Sequence, residues 1–227
     1  MPLGGGAPLP RPWPRCFLST APLGATILTA WSHRMSARHP ALAALALLSA
    51  TSSLAAQVPA PALQIAGAVS AAPEGLRADA TVLGYRNYHR LEVLREGTNG
   101  MVCVADDPSE ARWHVACYHK DLDPFMRRGR ELEATGVSRG QVDSARLAEV
   151  QAGTLKMPDG PRMLYNLYAP GDSLDQATGL ARGTTRLEVV YIPYATMEST
   201  GLPTRPGGGL PWLMYPGKPW AHIMIMH

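Results

Sequence analysis

"RLEVLREGTNGMVCVADDPSEARWHVACYHKDLDPF", residues 90–125, is the stretch on which the fold turns. "RLEVL" and "MVCVA" are β-prone runs on either side of "EGTNG". Asn99-Gly100 favours positive φ, so the two runs are expected to fold back on each other as a tight hairpin. "WHVACYH" predicts a further strand, reached through the turn residues Asp106, Asp107 and Pro108. Side chains alternate along a strand, so His114, Ala116 and Tyr118 share one face, and Val115, Cys117 and His119 the other. Asp121 and Asp123 then open a helix, where negative charge meets the positive end of the helix dipole, with Pro124 fitted to its first turn.

This stretch also gathers two cysteines, two histidines and four aspartates. A four-ligand zinc site pairs its ligands two to four residues apart on a turn. Here Cys103 and Cys117 lie far apart in sequence, and alternation turns His114 and His119 to opposite faces. A strand that turns through "DDPSEARWH" and returns would bring the two cysteines together, so a disulfide between Cys103 and Cys117 is expected. A staple of this size contributes about 3 kcal/mol in the chain-entropy model. His119 and Asp121 remain as candidates for acid–base chemistry.

The disulfide expectation rests on the N-terminal segment. Residues 1–34 are rich in Gly, Pro and Arg and without periodicity, and are expected to be an untranslated or unstructured leader. "MSARHPALAALALLSATSSLAA", residues 35–56, has the three parts of a secretory signal peptide: basic Arg38, an apolar run over 41–48, and small residues after it. Cleavage is expected before Ala56 or Gln57. The apolar run is far shorter than the ~20 residues of a spanning helix, so the mature chain carries no stable membrane span by this reading. The chain is thus expected to be secreted or periplasmic, in a compartment where a lone cysteine pair oxidises.

Charge changes with the leader. Four of the 21 basic residues (Arg11, Arg15, Arg34, Arg38) and none of the 18 acidic ones precede residue 57. The formal balance moves from +3 for the whole chain to 17 basic against 18 acidic in the mature part. A near-neutral chain lacks the basic stripe that phosphate neutralisation needs, so nucleic acid is not an expected partner.

Residues 57–76, Ala/Pro-rich with almost no charge, read as a loose linker, and residues 77–227 as a single domain. "ATVLGY" is β-prone. A helix capped by Asp123, with Pro124 at its first position, should stop at Gly136, and a second, with Ser138 and Gln141 at capping-box spacing, at Gly153. "RMLYNLY" and "TRLEVVYIPYA" follow as strands. "PWLMYPGKPWAHIMIMH" closes the chain with short strands at both ends of a Pro-Gly turn. Strands, two short helices inserted, then strands again predict an α+β domain with a small, largely antiparallel sheet.

"LREGTNG", the two cysteines soon after it, and the closing "PWLMYPGKPWAHIMI" together resemble a pattern of exported bacterial proteins of unknown function, over about the last two-thirds of the chain. The resemblance implies export and no particular activity.

Few motifs point to chemistry. "GDSLDQATG" lacks the G-x-S-x-G elbow, and "RPGGGLP" lacks the Lys-Ser/Thr of a phosphate loop. In "HIMIMH" an extended chain puts His222, Met224 and Met226 on one face, a thioether and imidazole set that suits Cu(I), with Met197, Met214 and His227 able to add to it. Trp212, Tyr215 and Trp220 are candidates to line a groove for a small molecule, sugar or peptide. The expectation is therefore a non-catalytic binding or structural module without a cofactor. The alternatives are a hydrolytic or metal-assisted enzyme using His119, Asp121 or His222, and Cu(I) binding at the C-terminus.

Overall fold

The computed structural model describes residues 58–88 and 90–227. The expected leader and signal peptide lie outside the described residues. An eight-stranded, mostly antiparallel sheet carries four α-helices among the described residues, an α+β architecture. The strands are β1 (Thr81–Asn87), β2 (Arg90–Arg95), β3 (Met101–Val104), β4 (Arg112–His119), β5 (Arg162–Pro170), β6 (Thr185–Tyr191), β7 (Trp212–Met214) and β8 (His222–Met226). Their order in the sheet is β2-β1-β3-β4-β5-β6-β8-β7. The helices are α1 (Pro61–Val69), α2 (Asp123–Glu133), α3 (Arg139–Gln151) and the single turn α4 (Met197–Thr200).

Alternation along the strands builds a core on each face of the sheet, and a small third cluster forms around Ala195, Leu213 and Ala221. Val82, Cys103, Trp113, Val115, Cys117, Leu167 and Ala169 point to one face, which α1 covers. Val102, Tyr118, Leu164, Val189 and Tyr191 point to the other, beneath Phe125 of α2, Leu147 and Val150 of α3, and Trp220. The His114/Ala116/Tyr118 against Val115/Cys117 division is therefore realised in the packing.

Cys103 and Cys117 are direct partners across the antiparallel β3–β4 hairpin, and their sulfurs lie 2.05 Å apart. Both are fully buried. Both expected helices form, but the cap at Asp123 does not: Asp123 is the first residue of α2, and Leu122 before it makes no side-chain cap bond. Pro124 sits in the first turn of α2, and Gly136 and Gly153 adopt φ of 78° and 74° beyond the ends of α2 and α3. The Gln141 side chain accepts from the backbone N–H of Ser138 at 2.9 Å.

Two expectations are corrected. The segment 57–76 is not a loose linker, because α1 occupies its centre and a 3-10 turn (Glu74–Leu76) follows. Its small residues serve close approach: Ala68, Ala71 and Ala72 are fully buried, and a Cβ on Gly67 would come within 2.6 Å of the Gly179 carbonyl oxygen. The Gln64 amide satisfies the backbone of Tyr85, accepting from its N–H and donating to its carbonyl, both at 2.7 Å. A low-charge Ala/Pro composition is equally that of a helix pressed onto a sheet.

The second correction concerns "EGTNG". Strands β2 and β3 are not neighbours; β1 lies between them and runs parallel to β3. A two-residue type I′ turn needs positive φ at both central residues, and neither Asn99 nor Gly100 has it. The loop is held against the start of β1 instead. Thr98 and Asn99 both donate backbone N–H groups to the Asp79 carbonyl, and the Asn99 side chain donates to Leu76 O and accepts from Met101 N. These bonds carry the chain across the start of β1. The antiparallel partner of β2 is β1, with a register shift on either side of the run Leu83–Tyr85. β2 and the three-residue β7 form the two edges of the sheet.

Candidate functional site

The expected site residues do not converge. His119 and Asp121 meet at the C-terminal end of β4, with Nδ1 and Oδ2 3.5 Å apart. His222 lies on β8, with β5 and β6 between its strand and β4. Nor are His119 and Asp121 poised for proton transfer. The Asp121 backbone N–H donates to His119 Nδ1 at 3.2 Å, so that nitrogen caps the 3-10 turn Lys120–Leu122. A nitrogen that accepts this bond cannot also donate to Oδ2. Asp121 itself is gripped by Arg162, whose Nε and Nη2 both lie 2.8 Å from Oδ2, and by Lys120 at 3.2 Å. These cations hold its carboxyl below the usual carboxylate range, Arg162 first and then Lys120.

His222 is buried on the face of the sheet occupied by Tyr191, and Tyr215 lies over it, with ring centroids at 4.8 and 5.7 Å. Its Nδ1 donates to the Trp220 carbonyl at 2.8 Å. Burial pushes its pKa below the usual imidazole value. Met224 packs into the core under α2 and α3, whereas Met226 is about half exposed. Among the described residues no group of three His, Cys, Asp or Glu side chains could hold a metal ion. Trp220 is a core residue, stacked on Phe125 at 5.7 Å with Tyr215 edge-on to it at 6.2 Å. Trp220 and Tyr215 therefore close the end of the sheet, and the expected aromatic groove with Trp212 is not formed around Trp220.

A different site is present where α2 leaves the sheet face uncovered. A groove of about 540 Å³ runs over β3, β4 and β5. The sheet register builds its floor: Val104 opposite Ala116, Ala116 opposite Asn166, His114 opposite Tyr168, Tyr118 opposite Leu164. Met126, Gly129 and Arg130 of α2 and Arg139 and Arg146 of α3 form one wall; Tyr85 and the β3–β4 turn form the other.

The polar groups of the groove are fixed by one another. His114 and Tyr168 stack with ring centroids 4.3 Å apart and planes 5° from parallel. The Arg112 guanidinium carbon lies 4.6 Å from the Tyr168 ring centroid, within cation–π range. His114 Nε2 lies 3.0 Å from Oδ1 of buried Asn166, whose Nδ2 donates to Leu187 O. In that arrangement Nε2 carries the proton and Nδ1 keeps its lone pair. Burial pushes the His114 pKa down. The His114 backbone N–H donates to Asp106 Oδ1 at 2.8 Å. Desolvation, reinforced by Asp107 and Glu110, nevertheless pushes the Asp106 carboxyl up to about 6. The Tyr85 hydroxyl donates to Asp107 at 3.2 Å. At the far end the Tyr118 hydroxyl donates to Asp123 at 2.8 Å and accepts from Arg130 at 3.1 Å.

The sequence held one half of this site. Alternation puts His114 and Tyr118 on one face, but the partners Asn166 and Tyr168 are 52 and 54 positions from His114 and meet it only through the β4–β5 register. Asp106 read as turn chemistry; its burial depends on the β4 backbone and α1-side packing, which no local pattern encodes. The chain matches no protein-family model, no curated protein and no solved structure.

Proposed function

We propose that the chain is exported to an oxidising compartment, secreted or periplasmic, where Cys103 and Cys117 form a disulfide, and that its domain is a non-catalytic binding module. The observation that carries the reading is the groove over β3–β5. Its volume falls in the range of small-molecule sites. Its aromatic and polar groups are held by stacking and hydrogen bonds in the free protein, so little ordering entropy opposes binding. His114 is oriented by an amide and not by a carboxylate–nucleophile chain, which suits recognition better than nucleophilic catalysis.

Two measurements test this. Mass spectrometry of protein recovered from the periplasm or medium should show an N-terminus at Ala56 or Gln57 and no free thiol. Amide NMR of the oxidised protein with a library of small polar compounds should give shifts clustered at Val104–Asp107, His114–Tyr118 and Leu164–Tyr168. A cytosolic, full-length, two-thiol protein would sink the export reading. A library that leaves these amides unmoved would sink the binding module.

A further inference from the structure

The two ends of the groove carry opposite chemistry. At the His114 end the β3–β4 turn presents Asp106, Asp107 and Glu110. None of the three is in an ion pair among the described residues; Asp106 and Asp107 have only backbone and hydroxyl partners. The one cation at that end, Arg112, is laid over Tyr168. At the Tyr118 end stand Arg130, Arg139 and Arg146. Arg130 pairs with Asp123 and Arg139 with Glu133. Arg146 is 7% exposed; its guanidinium lies over the Phe125 ring at 4.0 Å, Nη2 pairs with Asp143 at 2.8 Å, Nη1 has only the Phe125 carbonyl at 3.4 Å, and Nε has no hydrogen-bond partner among the described residues. A desolvated carboxyl without a cation and a buried guanidinium without enough acceptors are both costly in an empty groove. One ligand with an ammonium at one end and a carboxylate at the other would relieve both.

The spacing sets the length of that ligand. From His114 to Tyr118 the strand rises four residues, roughly 13 Å. An extended peptide spans about 3.3–3.6 Å per residue, so about three or four residues separate a free amino terminus from a free carboxylate at that distance. The floor between the poles is made of Val104, Ala116 and Leu164, with Asn166 beside Ala116 as its one polar member. We infer that the groove binds a short, unblocked peptide of about three or four residues, amino terminus toward Asp106 and carboxyl terminus toward Arg139 and Arg146. This rests on the binding-module reading above and adds the ligand class.

The test uses the oxidised, exported protein and four probes: trialanine, its N-acetyl form, its C-terminal amide and the doubly blocked form, each titrated by calorimetry. The expected result is that trialanine binds and that either block weakens binding about tenfold or more. Asp106→Asn should remove the penalty of acetylation while keeping that of amidation, and Arg139→Gln should shrink the penalty of amidation, leaving the part held by Arg146, while keeping that of acetylation. Arg139 is exposed and Asp106→Asn keeps the acceptor that holds the His114 N–H, and amide NMR of each variant confirms the fold. Equal binding of free and blocked peptides, or a block penalty untouched by both variants, overturns the inference. If trialanine fails while other compounds move the groove amides, the peptide inference falls and the binding module stands. If nothing moves them, both fall.

Discussion

The sulfur of Cys117 lies 3.2 Å from the carbonyl oxygen of Ala68. A disulfide sulfur has no proton to donate, so this is a packing contact, and it seats the last turn of α1 directly over the cross-strand pair. Reductant reaches the sulfurs only after α1 lifts. Reduction of the native protein should therefore be slow without denaturant and fast with it, as followed by thiol release. Replacing both cysteines by alanine should lower stability by about 3 kcal/mol, read from denaturant midpoints. Rapid reduction of the folded protein would show that α1 does not shield the pair.

Gly97 is the residue that lets the 96–100 loop lie across the start of β1. A Cβ there would collide with the Thr81 nitrogen and the Ala80 backbone. Gly97→Ala should cost on the order of 3 kcal/mol or more. Gly140, in the first turn of α3 with open space around its Cα, provides the contrast. Gly140→Ala should stabilise by up to about 1 kcal/mol. Similar melting temperatures for the two variants would contradict the backbone crossing described above.

His114 and His222 both have pKa values pushed down by burial. Below the ordinary imidazole range the unfolded chain binds protons that the folded chain refuses, so stability falls as pH drops beneath about 6.5. Asp106 works in the opposite sense. Its carboxyl, raised to about 6, holds a proton in the fold that the unfolded chain has released, so between about 4 and 6 it favours the fold as pH falls. The groups facing the His114 ring are Asn166, Arg112 and Tyr168; those around His222 are Tyr191, Tyr215 and the Trp220 carbonyl. His222→Gln should flatten the loss of melting temperature between pH 7 and 5, and Asp106→Asn should steepen it. Unchanged slopes in both variants would refute these assignments.

His119 is a structural cap. His119→Ala should cost about 1 kcal/mol, the usual loss for an N-cap, and leave binding in the groove unchanged. Asn166→Ala should do the reverse, freeing His114 and weakening binding with a smaller effect on folding than a core truncation. A large loss of binding in His119→Ala with a normal melting curve would return the site to the end of β4.

What was legible followed from local rules. The capping box at Ser138, Pro124 in the first turn of α2, the stops at Gly136 and Gly153, and the alternation in "WHVACYH" each depend on neighbours a few residues away, and each appears in the fold. Pairing the cysteines required only a short return of the chain. The placement of β1 between β2 and β3 was not legible, because it depends on Asp79 and Leu76 collecting the hydrogen bonds of a loop about twenty residues later. The helix α1 was hidden for a related reason. Its alanines look like spacer until the sheet they pack on is known. The groove failed on register: a one-residue slip of β5 would have turned Asn166 and Tyr168 to the other face, and nothing in either strand alone decides it.

The edges of the sheet have a consequence for the protein at high concentration. An open eight-stranded sheet offers two rows of unpaired peptide groups on which a neighbouring chain could nucleate a fibre. Here β2 is broken in register against β1 and carries Arg90, Glu92 and Arg95, while β7 is three residues long between Pro211 and Pro216. Neither border presents a straight, uncharged template. The chain is thus guarded, at both ends of its sheet, against aggregation with its own copies.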